Sequence, residues 1–167
     1  INERDKIIDG SKIKEGNLIL GLPSSGFHSN GYSLINKIQS GATSAEFLKK
    51  LLTPTRIYVK EVLALLGEIE INGMAHITGG GFEENLSRIN ANFTMNIDKT
   101  KWNMPEIFNE IQSMGNIHDD EMFKVFNCGI GFVLILSKEN ARKAKEINGS
   151  LIEIGFVTKE SCKFKFV

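Results

Sequence analysis

The seven-residue run Ile130–Leu136 (IGFVLIL) constrains the fold more than any other part of the chain. A strand with one wet face alternates apolar and polar side chains. A run with almost no polar interruption fits a central strand covered on both faces. It predicts a sheet with helices on each side. Other segments fit that sheet. Asn17–Leu22 (NLILGL) and Met74–Ile77 read as short apolar strands, and Leu151–Val157 as a longer one. Ala91–Ile97 alternates, with Ala91, Phe93, Met95 and Ile97 on one face and Asn92, Thr94 and Asn96 on a wet face. Lys163–Val167 reads as a terminal edge strand whose lysines limit edge pairing.

Helical periodicity fills the intervals. A helix over Gly31–Gln39 takes Ser29 or Asn30 as its N-cap. Ser44–Leu52 forms a second helix, ended by Thr53-Pro54 because the residue before proline disfavours helical angles. In Tyr58–Ile69, Val59, Val62, Leu63, Leu66 and Ile69 recur at helical spacing and predict one buried stripe. A short helix follows from about Phe82. Pro105 suits the first turn of a helix burying Ile107, Phe108, Ile111 and Met114. Asp119–Phe126 and Lys138–Ile147 complete the set. Strands and helices alternate irregularly, which predicts an α/β or α+β domain with a mixed, helix-covered sheet.

Bulk properties narrow the function. At 167 residues, 41% hydrophobic and 24% charged, the chain suits a single soluble domain spanning residues 1–167. No apolar run approaches the ~18 residues of a membrane span. Lysine plus arginine equals aspartate plus glutamate, 20 against 20, which argues against nucleic-acid or anionic-membrane partners. Cys128 and Cys162 form no CxxC or zinc pattern and read as reduced thiols of a cytoplasmic protein. Cys128, beside the apolar run, reads as a small buried hydrophobe. The chain opens on Ile1 rather than Met, as a fragment or processed product would.

Two glycine-bearing loops carry the candidate chemistry. The first is Ser24-Ser25-Gly26-Phe27-His28-Ser29-Asn30-Gly31, between a strand and a helix. Small residues admit a ligand to the backbone, and the helix start offers N–H groups to a phosphate. Ser25, Ser29 and Asn30 add side-chain donors. His28 could donate to a phosphate or move a proton near neutral pH. The same residues would also make a tight turn and a cap. The second is Thr78-Gly79-Gly80-Gly81, followed by Phe82-Glu83-Glu84-Asn85. Three consecutive glycines are entropically costly and make sense where successive N–H groups form an anion nest. The loop lacks the Gly-Lys-Ser/Thr of a P-loop and the spacing of a dinucleotide fold. Glu84 and Asn85 could meet a substrate amide or amine, or serve the helix start. His76, in an apolar strand, reads as a core histidine. Arg56 fits either a phosphate or partner contact or a surface position. The glycines of Asn127-Cys128-Gly129-Ile130-Gly131 read as close packing against the strand. No carboxylate cluster has metal-ligand spacing.

The order of these loops carries a resemblance. Gly21–Leu34 (GLPSSGFHSNGYSL), Leu52–Lys60 (LTPTRIYVK), Gly73–Arg88 (GMAHITGGGFEENLSR) and Glu121–Gly131 (EMFKVFNCGIG) resemble, in sequence order, four segments of the aminoimidazole ribonucleotide synthetase family. The likeness runs from about Ile8 to Val157 and is to the C-terminal domain. Pro23, Ser87, Cys128 and Phe132 depart from the family's usual residues without removing a polar group of the site. The resemblance implies a three-layer α/β/α domain with a mixed sheet and partial ferredoxin-like topology. It implies an ATP-dependent cyclo-ligase of purine biosynthesis that acts as a homodimer, with magnesium. An N-terminal domain outside this chain would supply the nucleotide loop and the magnesium ligands. The site would lie in the cleft between the two domains. The isolated C-terminal domain is then expected to be inactive and to hold no tightly bound cofactor. His28 would be the catalytic residue. Ser25, Gly26, Ser29, Asn30, Thr78, Gly79, Gly80, Gly81, Glu84 and Asn85 would bind a small ribonucleotide substrate or its phosphate. The rival expectations are a thiamine monophosphate kinase-like or selenophosphate synthetase-like enzyme, and a non-catalytic binding module.

Overall fold

The apolar run Ile130–Leu136 is strand β4, second in the sheet and paired on both sides. The computed structural model describes residues 7–38, 44–89, 92–160 and 162–167. Among them the strands are β1 (Leu18–Pro23), β2 (Gly73–His76), β3 (Thr94–Ile97), β4, β5 (Ile152–Thr158) and β6 (Phe164–Phe166). The helices are α1 (Tyr32–Ile38), α2 (Ala45–Leu51), α3 (Val59–Glu68), α4 (Gly81–Ser87), α5 (Glu106–Gly115), α6 (Asp119–Val125) and α7 (Lys138–Ile147). The sheet order is β2-β4-β1-β5-β3-β6. All pairings are antiparallel except β3 with β6, so the sheet is mixed.

Side-chain alternation along the strands makes two cores. In β4, Val133 and Ile135 face one core and Leu134 and Leu136 the other. In β1, Ile19 joins the first core, and Leu20 and Leu22 join the second. The first core takes Ile35 of α1, Phe47 of α2, Phe82 of α4, Phe108 of α5 and Met122 of α6. The second takes Val62 and Leu65 of α3 and Ala141 and Ala144 of α7. Helices thus cover both faces, giving three layers. The units β1-α3-β2 and β4-α7-β5 interleave as β2-β4-β1-β5, with both helices on one face. That is the ferredoxin-like part of the fold.

Several local readings need correction. The stripe of α3 is split. Val62, Leu65 and Ile69 are buried, whereas Val59, Leu63 and Leu66 are 60%, 61% and 38% exposed. Of the predicted stripe only Val62 and Ile69 are covered; the sheet meets an arc shifted towards Leu65, which the stripe did not include. The wet face of β3 is closed: Thr94 and Asn96 are fully buried. This strand lies between β5 and β6, and the Asn96 amide donates to Phe156 O at 3.1 Å and Thr158 Oγ1 at 2.9 Å. Gly31, not Ser29 or Asn30, caps α1, since its carbonyl accepts from the Leu34 and Ile35 amides. In α5, Phe108 and Ile111 are buried but Met114 is half exposed. Gln39 and Ala91 lie outside the described residues.

Candidate functional site

The two glycine-bearing loops leave the sheet at the same end. Pro23 closes β1, His76 closes β2, and Ile130 and Phe132, their partners in register, begin β4. Ser24–Gly31 and Thr78–Gly81 therefore emerge side by side. Asn30 Oδ1 lies 3.8 Å from the point where a β-carbon on Gly79 would stand.

The first loop is strained and heavily braced. His28 and Ser29 both have left-handed backbones, with φ of 52° and 59°. Each costs about 1–2 kcal/mol in a residue with a β-carbon, and such strain concentrates at functional sites. Phe27 anchors the loop, fully buried with its ring 4.5 Å from Phe108 and 5.1 Å from Phe126. The buried Asn127 amide donates to Gly26 O at 2.8 Å, and its oxygen accepts from Gly129 N at 2.9 Å. Asn30 Nδ2 donates to His28 O at 2.7 Å. Ser25 Oγ donates to Pro54 O at 2.7 Å. The side chains left outward are Ser25 and Ser29, both exposed, and Asn30, partly so.

His28 is turned inward and buried. Its Nε2 accepts from Ser25 N at 3.0 Å and, more weakly, from Arg56 N at 3.4 Å. Burial, with Arg56 and, when protonated, His76 nearby, lowers its pKa to about 4. The His28, Tyr58 and His76 rings stand 5.8–6.0 Å from one another. His76 is exposed at the end of β2, which corrects its reading as a core histidine; partial burial still lowers its pKa. Tyr58 Oη and Arg56 Nη1 both donate to Pro23 O at 2.9 Å, and Arg56 Nη2 pairs with Glu61 at 2.6 Å. Arg56 thereby fixes the start of the loop. Burial raises the Tyr58 hydroxyl to about 12.

The second loop is braced from below. Gly80 precedes α4 with φ of 87°, a left-handed angle natural to glycine. Asn85 is buried, and its amide donates to Gly81 O at 2.7 Å and Gly79 O at 3.3 Å. Its oxygen accepts from the partly buried Thr78 hydroxyl at 3.3 Å. Gly81 is buried, its β-carbon position 2.0 Å from Phe123 O. Glu84 is exposed, ion-paired with Arg88, and its carboxylate folds back over Gly80. Gly79 is the exposed apex. Of the residues read from the sequence, Ser25, Ser29 and Gly79 are exposed and Asn30 partly so, with Asn30 and Gly79 adjacent. His28, Gly26, Gly81 and Asn85 lie beneath them.

Tyr58, His76 and Asn127 were not among the site residues read from the sequence. The strings PTRIYVK and FNCGIG contain two of them, but their roles depend on pairings between distant segments. Beside the rings, an apolar groove of about 420 Å³ runs between α3 and β2, lined by Ile57, Val59, Leu63, Leu66 and Met74. Cys128 is buried, and burial pushes its thiol far up, as expected of a packing residue; both cysteines are free. No helix is long and apolar enough to cross a membrane among the described residues.

The chain is 46% identical, over 96% of its length, to a phosphoribosylformylglycinamidine cyclo-ligase of Streptococcus agalactiae. It spans about half the length of the curated relatives it matches: 51% of that one and 50% of another. Among solved structures, the hydrogenase maturation protein HypE superposes with a TM-score of 0.72, at 17% identity, over 99% of this chain and 54% of that one. HypE in complex with ATP superposes with a TM-score of 0.68, at 18% identity, over 95% and 47%. These two show the fold alone. A family model described as AIR synthase related protein, C-terminal domain, matches residues 14–165, and the chain belongs to that family.

Proposed function

We propose that this chain is the C-terminal half of a phosphoribosylformylglycinamidine cyclo-ligase, an ATP-dependent enzyme closing formylglycinamidine ribonucleotide to aminoimidazole ribonucleotide. The observation that carries the reading is the meeting of the two loops at Asn30 and Gly79, in a chain 46% identical to a cyclo-ligase relative. In the reaction, ATP transfers its γ-phosphoryl group to the formamide oxygen. The amidine nitrogen attacks the activated carbon, the carbon–oxygen bond breaks, and inorganic phosphate leaves. Such chemistry depends on positioning and on neutralising phosphate charge.

The chain's own contribution is to bind and orient. The Thr78–Gly81 loop, held from below by Asn85 and closed by the Gly81 amide on Thr78 O, offers the N–H groups of Gly79 and Gly80 to a phosphate. Ser25, Ser29 and Asn30 offer polar groups to the substrate, and Glu84 stands at the rim. The N-terminal half of the protein supplies the nucleotide loop and the magnesium ligands. No group of three metal-ligating side chains occurs among the described residues of this half. No step of this chain's residues passes through the metal, which would supply charge neutralisation at the phosphates. The complete enzyme acts as a cytoplasmic homodimer. The exposed apolar groove of α3 and β2 is the surface that fits the N-terminal half.

The test is phosphate release by the full-length protein. Release from ATP that requires formylglycinamidine ribonucleotide supports the reading. Phosphate release that requires selenide instead, ATP consumption that requires thiamine monophosphate and forms ADP without free phosphate, or no turnover with any of them, contradicts it.

A further inference from the structure

We propose that His28 is a positioning residue: its unprotonated Nε2 clips the substrate loop to the segment entering α3, and the ring does not carry the reaction's proton. The argument starts from donors. Ser25 N and Arg56 N both direct N–H groups at Nε2, at 3.0 and 3.4 Å. A backbone amide can only donate, so Nε2 must present its lone pair. Ser25 Oγ, 3.0 Å from the same nitrogen, gives its hydrogen to Pro54 O at 2.7 Å. The neutral ring therefore carries its proton on Nδ1.

Nδ1 is buried without a hydrogen-bond partner in the described structure. It lies against Gly131, 2.9 Å from that residue's β-carbon position. A second proton on the ring would set an N–H against two others, among the positive groups of Arg56 and, when protonated, His76. Tyr58 stands beside them as a neutral hydroxyl, and Glu61 is engaged with Arg56. Among the described residues nothing around the ring compensates a charge, so the site keeps it neutral. What it does in that state is mechanical. It ties Ser25, at the start of the loop, to Arg56, which itself holds Pro23. Ser29 and Asn30 are then presented beside Gly79.

The part of this inference that concerns catalysis rests on the proposed cyclo-ligase reading; the part that concerns the tautomer does not. Two experiments separate them. The first is a long-range nitrogen–proton NMR correlation of the imidazoles in this chain. An unprotonated Nε2 and a protonated Nδ1 for His28, unchanged from pH 8 to pH 5.5, are expected. A proton on Nε2, or titration near the ordinary ~6.5, overturns the proposal.

The second compares His28→Gln, His28→Asn and His28→Leu. Glutamine places its acceptor oxygen about where Nε2 stands; asparagine places it nearer Nδ1. Slow exchange of the Ser25 and Arg56 amides should survive in His28→Gln and be lost in His28→Leu. In the full-length enzyme, His28→Gln should keep kcat within ~10-fold, whereas His28→Leu and His28→Asn lose ~100-fold through misplacement of the loop. A general acid or base contributes roughly 10²–10⁴-fold, and glutamine cannot replace it. Glutamine as damaging as leucine would overturn the positioning role. An enzyme without cyclo-ligase activity would sink the proposed function, while NMR and amide exchange would still decide the tautomer.

Discussion

Tyr58 and Gly131 interlock across the root of the Ser24–Gly31 loop: a β-carbon on Gly131 would stand 2.1 Å from the Tyr58 hydroxyl oxygen. The same β-carbon would lie 2.6 Å from Cε1 of His28. Glycine at this position therefore makes room for both rings. Gly131→Ala should push Tyr58 off Pro23 O and cost about 1–3 kcal/mol, as overpacking does. Urea unfolding measures the loss. Gly149→Ala, which meets nothing within 4 Å, is the control and should stay within about 0.5 kcal/mol.

Asn127 braces the loop from inside the protein. Its side chain serves Gly26 O and Gly129 N at once while buried. Asn127→Ala leaves both backbone groups without that partner, at about 1–3 kcal/mol for each group that finds no other. Hydrogen exchange at the Gly129 amide should rise with the loss of stability. An unchanged exchange rate would mean that another group holds the turn.

His28 also predicts a pH dependence. Its folded pKa, about 4, lies below the ordinary 6.5. The unfolded chain then binds the proton more readily, so stability falls as pH drops through 6.5 and continues to fall towards 4. His76, also lowered, acts in the same direction. The difference between wild type and His28→Gln isolates the first contribution. That difference should narrow with acidification below pH 6.5 and be flat above it.

On α3, Leu63 and Leu65 should behave oppositely. Leu65 is fully buried in the second core, and Leu65→Ala should cost about 2–5 kcal/mol. Leu63 faces outward, and Leu63→Gln should stay within about 0.5 kcal/mol in this chain. Thermal melts of the two variants give the comparison.

The contrast between Leu63 and Leu65 marks what a linear pattern can tell. The uninterrupted run of β4 announced a strand covered on both faces, because two apolar faces leave no other stable place for it. The helices announced themselves by period. Which arc of α3 is covered, and that Thr94 and Asn96 are sealed within the sheet, depends on neighbours distant in sequence. The two loops were recognisable as a pair from their glycines and their order. The inward turn of His28 was not, because left-handed angles at His28 and Ser29 leave no mark in residues that usually avoid them. The bracing amides of Asn85 and Asn127 were equally silent: asparagine reads the same whether it faces a ligand or a carbonyl.

The most direct test is calorimetric titration of the full-length protein with formylglycinamidine ribonucleotide, wild type against Gly79→Val. A β-carbon at Gly79 meets only Asn30 Oδ1, at 3.8 Å, so the fold should tolerate the change while the space between the loops is filled. The account predicts saturable binding by the wild type and a loss of at least ~10-fold in affinity for a variant with an unchanged melting temperature. Equal affinity in the two proteins would contradict it and place the substrate elsewhere.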